Sequence, residues 1–102
     1  MRVLWSYRAA RSLHALEDYI LRTFGETRRQ QFMTEAEDIT RKLADFPNMG
    51  KHDPLLAHRK KEYRSLVMTR KTKLVYYIEG QRVIIANIWD SRREPKTVTK
   101  NM

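Results

Sequence analysis

Residues 73–90, KLVYYIEGQRVIIANIWD, decide the fold because they contain two strand patterns in succession with a short break between them. Val, Ile, Tyr and Leu dominate both halves, and these residue types favour strands. Gly80 and Gln81 lie at the break, where a tight turn joins antiparallel strands. The second half is apolar on both faces, which is typical of a central strand. The stretch therefore predicts an antiparallel hairpin at the centre of a sheet.

The alternation of side chains along these strands predicts which of them share a face. In the first half, one face holds Leu74, Tyr76 and Ile78. In the second half, one face is expected to hold Val83, Ile85, Asn87 and Trp89, and the other Ile84, Ala86 and Ile88. A further strand pattern precedes them, so strands at residues 62–69, 72–79 and 82–89 are expected to form an antiparallel meander.

Two amphipathic helices are predicted before the meander, because apolar residues recur there at spacings of three and four. The first helix is expected to bury Ala9, Leu13, Leu16 and Ile20. The second helix is expected to bury Phe32, Ala36, Ile39, Leu43 and Phe46. Ser6 is a candidate cap for the start of the first helix, Gly25 allows the backbone to turn at its end, and Pro47 stops the second.

The order of the elements gives the fold class. Residues 2–5 form a short apolar strand, so the order is β-α-α-β-β-β and the class is α+β. We expect an antiparallel helical hairpin packed on one face of a small sheet, with the opposite face open. A chain of 102 residues is expected to form a single domain, residues 1–102.

Composition excludes several classes of protein. There is no cysteine, which excludes disulfides and thiolate metal sites and fits a cytoplasmic location. No apolar stretch approaches the roughly 18–20 residues that span a bilayer, so we expect no membrane association. We expect no cofactor or metal, because there is no glycine-rich phosphate loop and no two histidines have the spacing of metal ligands.

The positive charge is concentrated in the second half of the chain. The formal net charge is +9, with 21 basic and 12 acidic side chains. Residues 1–50 hold 8 basic and 7 acidic side chains, whereas residues 51–102 hold 13 basic and 5 acidic ones. This asymmetry indicates a polyanionic partner, or an acidic protein partner, that binds mainly to the second half.

Basic side chains at loops and strand ends define a candidate anion-binding surface, with ordinary solvated charges as the alternative. The surface comprises Lys51, Arg59, Lys60, Lys61, Arg64, Arg70, Lys71, Lys73, Arg92 and Arg93. Asp90 and Pro95 can fix the corner after the last strand, so that Arg92 is presented to a phosphate group. The alternative is a structural corner, formed by Asp90 and Arg92 without a ligand.

Few groups can act as an acid or base near neutral pH. His52 and His58 lie in the basic loop KHDPLLAHRKK, residues 51–61, and Glu62 follows it. His14 lies in the first helix and is expected to be structural. The aromatic residues near the basic ones suit the stacking of bases, although strand spacing also suits a core position. They are Tyr63, Tyr76, Tyr77 and Trp89.

The order of these motifs resembles a known family. The strand and the two helices are followed by FPNMG at residues 46–50, YRSLVM at 63–68, the stretch at 73–90 and SRREP at 91–95. Together they resemble the RelE/ParE superfamily, the toxins of type II toxin–antitoxin systems, also known as plasmid stabilisation proteins. The resemblance covers residues 2–96. Its most specific part is the final strand followed by Asp90-x-Arg92-x-x-Pro95.

The resemblance implies one of two activities, and in both a cognate antitoxin wraps the toxin and masks its site. RelE-like members enter the ribosomal A site and cleave mRNA as metal-independent endoribonucleases. ParE-like members inhibit DNA gyrase and are not nucleases. A third interpretation is an inactive relative that only binds its antitoxin. We predict a ribosome-dependent mRNA endonuclease that causes growth arrest, with ribosome and mRNA as partners, and the gyrase inhibitor as the alternative.

For the endonuclease, the resemblance assigns roles to single residues. Those assigned to catalysis are Arg64, Lys73 and Arg92 at the scissile phosphate and His58 as a candidate base. Those assigned to RNA binding are Lys60, Lys61, Lys71 and Arg93. Val98 stands where the RelE type often has a tyrosine, so His52, His58 or Glu62 would have to supply the base.

Overall fold

Two helices and five strands make up the part of the chain that the computed structural model describes, which is residues 1–57, 60–69 and 71–91. The helices are α1 (Tyr7–Phe24) and α2 (Glu26–Asp45). The strands are β1 (Arg2–Trp5), β2 (Lys51–His52), β3 (Arg64–Thr69), β4 (Thr72–Glu79) and β5 (Arg82–Asp90). A single 3₁₀ turn, Pro54–Leu56, follows β2. Neither helix is long and apolar enough to cross a membrane.

The strands form one sheet in the order β1-β5-β4-β3-β2. β1 runs parallel to β5, while β2, β3, β4 and β5 pair antiparallel with one another in succession. The predicted meander and the α+β class are therefore confirmed. β2 was not predicted, because two residues are too few to produce an alternation pattern, and it lies in the stretch that was expected to be a loop.

The helical hairpin has the ends that the sequence predicts. The Oγ atom of Ser6 accepts a hydrogen bond from the Ala9 amide at 3.0 Å and caps α1. Gly25 alone separates the two helices, and its N–H donates to the carbonyls of Ile20 and Leu21. Its φ of +94° and ψ of 177° form a backbone conformation that is essentially restricted to glycine. A single residue therefore reverses the chain between α1 and α2.

The main core lies between the hairpin and one face of the sheet. Its buried members are Ala9, Ile39, Leu43, Leu74, Tyr76, Val83 and Ile85. In α2, the predicted burial of Phe32, Ala36, Ile39 and Leu43 is confirmed. Phe46 was expected to join them but is 65% exposed, because α2 ends at Asp45 and the backbone leaves the helix there.

A β-bulge in β5 changes which side chains share a face. Tyr76 lies opposite Ile85, whereas the adjacent Val75 lies opposite Asn87, so β5 contains one extra residue, Ala86. As a result, Ile85 packs in the helix-side core, while Trp89 packs on the opposite face of the sheet. The prediction that Val83, Ile85, Asn87 and Trp89 share one face is therefore wrong.

The face of the sheet opposite the helices, which we call the outer face, is partly covered. Leu56 is 1% exposed and packs there against Val75 and Trp89, with Tyr63 beside them. The Asp53 amide donates to the Tyr63 carbonyl at 3.0 Å, which brings the two ends of the intervening loop together. The expectation of an open outer face therefore fails where this loop crosses it.

Candidate functional site

Arg64 holds the loop that follows α2. It lies at the start of β3 opposite Tyr76, on the helix side of the sheet. Its Nη1 atom donates to the Gly50 carbonyl at 2.7 Å and to the Asn48 carbonyl at 3.4 Å. The guanidinium therefore has backbone acceptors within the protein and fixes residues 48–50 against the sheet.

The Tyr76 hydroxyl completes the attachment of this loop. It donates to the Pro47 carbonyl at 2.7 Å and accepts from the Gly50 amide at 2.8 Å. Burial raises the pKa of the Tyr76 phenol, which keeps the hydroxyl neutral and able to donate. A Cβ atom at Gly50 would lie only 2.8 Å from the Tyr76 hydroxyl and 3.0 Å from the Ser65 carbonyl oxygen, so this approach requires glycine.

Lys73 lies on the outer face, opposite Val67 on one neighbouring strand and Trp89 on the other. Its Nζ atom lies 2.9 Å from Asp53 Oδ2, and the Asp53 side chain is only 1% exposed. The same Nζ atom is 5.6 Å from the centre of the Trp89 ring. Lys73 is thus part of a largely buried ion pair that ties the loop after β2 to the centre of the sheet.

Lys61 also has an acidic partner on the outer face. Its Nζ atom donates to Glu79 Oε2 at 3.2 Å and lies 4.2 Å above the centre of the Tyr77 ring. The hydrogen bond with Glu79 raises the pKa of Lys61, and the same bond lowers the pKa of Glu79. Lys60 and Lys71 are exposed.

The predicted site residues are not all brought together. Arg64 and Lys73 lie on opposite faces of the sheet, since Arg64 sits beside the core residue Tyr76 and Lys73 beside Trp89. The remaining predicted residues His58, Arg92 and Arg93 lie outside the described residues, so their roles stay predictions. Among the described residues, no three His, Asp or Glu side chains are grouped so that they could hold a metal ion.

The aromatic residues divide between the core and the surface. Tyr76 and Trp89 are buried, so they are core residues and not stacking platforms. Tyr63 and Tyr77 contact each other edge to face with ring centres 5.5 Å apart, and both are partly exposed. Lys61 and Tyr77 therefore form a cation–aromatic pair on the outer face, in which both side chains are at least partly exposed to solvent.

Sequence reasoning missed Asp53 as the partner of Lys73. Aspartate is rarely buried unless it is paired, and Asp53 lies in a basic stretch, where a surface position is the usual expectation. Its only signal in the sequence is the pair Asp53-Pro54, which favours a turn.

Two of the candidate bases lie among the described residues. His52 lies in β2 opposite Arg64 and is exposed, and Glu62 is exposed as well.

Comparison with known proteins identifies the family. A family model described as "ParE toxin of type II toxin-antitoxin system, parDE" matches residues 3–95. No curated protein matches the chain significantly. One similar solved structure is a chromosomal ParDE toxin–antitoxin system from P. aeruginosa, with a TM-score of 0.72 and 20% identity, covering 88% of this chain and 95% of that chain.

A second similar structure is the YoeB/ParE toxin from Agrobacterium tumefaciens, with a TM-score of 0.58 and 19% identity, covering 88% of this chain and 98% of that chain. At these identities the two structures establish a common fold. The family model covers nearly the whole length. The chain therefore belongs to the ParE toxin family of type II toxin–antitoxin systems, within the RelE/ParE superfamily.

Proposed function

We propose that this toxin acts in the ParE-like manner, by binding to DNA gyrase and inhibiting it, and that it does not cleave RNA. The observation that supports the proposal is the position of Arg64 and Lys73 on opposite faces of the sheet. A metal-independent ribonuclease has to direct several charged groups at one scissile phosphate. Two cations that are separated by the sheet do not meet at a single phosphate.

The partners of these cations support the same proposal. Arg64 is hydrogen-bonded to the Gly50 carbonyl, and Lys73 is paired with the buried Asp53 carboxylate. Each already directs at least one N–H donor to an acceptor within the protein, so fewer donors remain for a phosphate. Moving Lys73 away from Asp53 would also give up an ion pair with a buried carboxylate, which is unfavourable. Both side chains are therefore better suited to holding the fold than to catalysis.

Family membership and net charge together indicate what kind of partner this toxin has. The family model is that of ParE toxins, and one similar structure is a ParDE system. A toxin of this family has a cognate antitoxin as its partner. The formal charge of +9 favours an antitoxin segment rich in acidic side chains, because opposite charges accelerate association and favour the correct partner.

A ribosome-dependent mRNA endonuclease is the second candidate. The 13 basic side chains of residues 51–102 suit a target made of RNA, where contacts to phosphates dominate affinity. Lys60 and Lys71 are exposed and can reach a phosphate backbone. His58 and Arg92, which this activity would use, lie outside the described residues.

The two candidates are separated by two assays on one preparation of toxin freed from its antitoxin. We expect the toxin to inhibit DNA supercoiling by purified gyrase. We expect primer extension on mRNA with programmed ribosomes to give no cleavage product. Ribosome-dependent cleavage without gyrase inhibition would overturn the proposal and establish the second candidate. If the purified toxin shows neither effect, and if its expression without the antitoxin does not arrest growth, the protein is an inactive relative.

A matched pair of surface variants tests which surface acts. Tyr7 is 79% exposed at the start of α1, and Lys61 is exposed on the outer face, so neither substitution should unfold the protein. If the helical hairpin contacts the target, Tyr7→Ala reduces gyrase inhibition and growth arrest, whereas Lys61→Ala leaves both unchanged. The reverse pattern would contradict a role for the hairpin and favour action through the outer face.

A further inference from the structure

The start of α1 carries positive charge with no acidic side chain near it in the sequence. Residues 1–16 contain Arg2, Arg8 and Arg11, and the first acidic residue of the chain is Glu17. The first turn of α1 likewise holds no acidic residue. The first half of the chain therefore has a basic region of its own, although its totals of 8 basic and 7 acidic side chains nearly balance.

Arg8 and Arg11 are exposed and have no ion-pair partner among the described residues. The other helix arginines each contact a side chain one turn away: Arg22 with Asp18, Arg28 with Gln31, Arg29 with Glu26, and Arg41 with Asp38. Arg8 also lies in the first turn of α1, where a positive charge opposes the helix dipole. The two charges therefore do not stabilise α1, and residues that break such a local rule are expected at functional sites.

Tyr7, Arg8 and Arg11, which we call the α1 patch, lie together on one face of the helix. With Ser12 and Ala15 they line a recess of about 540 Å³. The Tyr7 ring is 79% exposed, and the guanidinium carbon of Arg11 lies 5.7 Å from its centre. This contact restricts the Arg11 side chain, so that less conformational freedom is lost when the guanidinium binds an anion.

We propose that the α1 patch binds the phosphate backbone of duplex DNA. Its three side chains end in a phenolic hydroxyl and two guanidinium groups, and each of these groups can donate hydrogen bonds. A guanidinium matches the geometry of a phosphate group and binds it through two parallel hydrogen bonds. Arginine and tyrosine side chains and the amino-terminal ends of helices are all common phosphate contacts in protein–DNA complexes.

The make-up of the patch favours a duplex over other anionic partners. An unpaired strand binds by stacking its bases on several aromatic rings, whereas the patch has the ring of Tyr7 alone, already in contact with Arg11. A protein partner needs an apolar centre, and the recess offers only Ala15 beside that ring. The choice of DNA over duplex RNA rests on the proposed function, because a toxin bound to gyrase can reach the DNA that gyrase holds.

Fluorescence anisotropy of a short labelled DNA duplex, titrated with free toxin at several salt concentrations and without gyrase, tests the contact. We expect Arg8→Gln combined with Arg11→Gln to weaken binding and to reduce the slope of log affinity against log salt by about two, since each phosphate contact contributes about 0.9. Arg22→Gln combined with Arg41→Gln removes the same charge from exposed helix positions and should leave the slope unchanged. This pair is the matched control.

Three results of this titration would overturn the proposal. They are no measurable binding of DNA by the wild type, an equal change of slope in both double variants, and tighter binding to an RNA duplex of the same length that is lost when Arg8 and Arg11 are replaced. The last result would assign the α1 patch to RNA.

A supercoiling assay with the same variants separates this inference from the proposed function. We expect the variant that lacks Arg8 and Arg11 to inhibit gyrase less than the control variant does. Full inhibition by a variant that has lost its DNA contacts would overturn a role of the α1 patch in inhibition. A toxin that binds DNA through the patch but does not inhibit gyrase would refute the proposed function and leave the DNA contact established.

Discussion

Arg64 and Lys73 lie on adjacent strands but on opposite faces of the sheet, and each is held by an acceptor within the protein. Arg64 donates to the Gly50 carbonyl at 2.7 Å on the helix side, and Lys73 lies 2.9 Å from Asp53 Oδ2 on the outer face. Both cations therefore fasten a loop to the sheet. Their substitution is expected to change stability before it changes any chemistry.

Lys73→Met should lower the free energy of unfolding by about 3 kcal/mol, because it removes the ammonium that pairs with the buried Asp53 carboxylate. Methionine has an unbranched, flexible side chain that can fill the space of the lysine stem, so the loss is mainly electrostatic. Urea unfolding followed by circular dichroism measures the effect. Lys71→Met removes an exposed lysine nearby and is the matched control, with little expected change.

The double variant Asp53→Asn with Lys73→Met should recover part of this loss, because both members of the ion pair are then neutral. If Lys73→Met were as stable as the wild type, the ion pair would not hold the loop in solution. A loss of toxicity in Lys73→Met supports a catalytic lysine only if the variant is shown to be folded at the assay temperature.

Tyr76→Phe should lower the free energy of unfolding by about 2 kcal/mol, because the Pro47 carbonyl and the Gly50 amide lose their shared partner. The ring and its packing are unchanged, so the effect reports the hydroxyl alone. Denaturant unfolding measures it, and Tyr7→Phe, at a 79% exposed position, should have almost no effect. Equal stabilities of the two variants would mean that water replaces the hydroxyl at the loop.

Elements with a local cause could be predicted from the sequence. Ser6 and Gly25 specify the ends of α1 through cap hydrogen bonds within a few residues, and both positions are confirmed. The predicted middle strand, residues 72–79, matches β4 at both ends. In each case the decisive interaction, or the pattern of apolar residues, lies within the element itself.

Features with a distant cause could not be predicted. The bulge at Ala86 depends on how Val75 and Tyr76 pair with β5. The alternation of apolar and polar side chains along one strand does not reveal an extra residue. Asp53 is buried because Lys73, twenty positions further on, supplies its counter-charge. The candidate site depended on such long-range contacts, so the sequence identified basic residues without indicating on which face each one lies.

Leu56→Ala should lower the free energy of unfolding by about 3 kcal/mol, because a fully buried leucine is replaced and a cavity remains beside Val75 and Trp89. The loop from Asp53 to Tyr63 should then open more often, so trypsin should cleave after Lys60 or Lys61 faster than in the wild type. Val67→Ala, at a 64% exposed position, is the control. An unchanged cleavage rate in Leu56→Ala would argue that the loop is not held by this contact.

Arg29 links the two helices, and its removal should change how stability depends on pH. Its Nη1 atom donates to Glu17 Oε2 at 2.7 Å across the hairpin, and it also pairs with Glu26 in its own helix. The hydrogen bond from Arg29 is the main cause that lowers the pKa of Glu17 below its usual 4.5, and the pKa of Glu26 is lowered mainly by the same side chain.

A carboxyl group with a lowered pKa in the folded state stabilises the fold fully above its unfolded pKa, and this contribution is lost as the pH falls through its folded pKa. We therefore expect the free energy of unfolding of the wild type to fall as the pH decreases below 4.5, the usual pKa of these groups. Arg29→Gln should be less stable near neutral pH, and its free energy of unfolding should fall less in acid.

Urea unfolding at a series of pH values measures both quantities. Arg41→Gln, which removes an exposed pair with Asp38, should retain the wild-type dependence on pH. Parallel curves for Arg29→Gln and the wild type would show that Arg29 does not fasten α2 to α1 in solution.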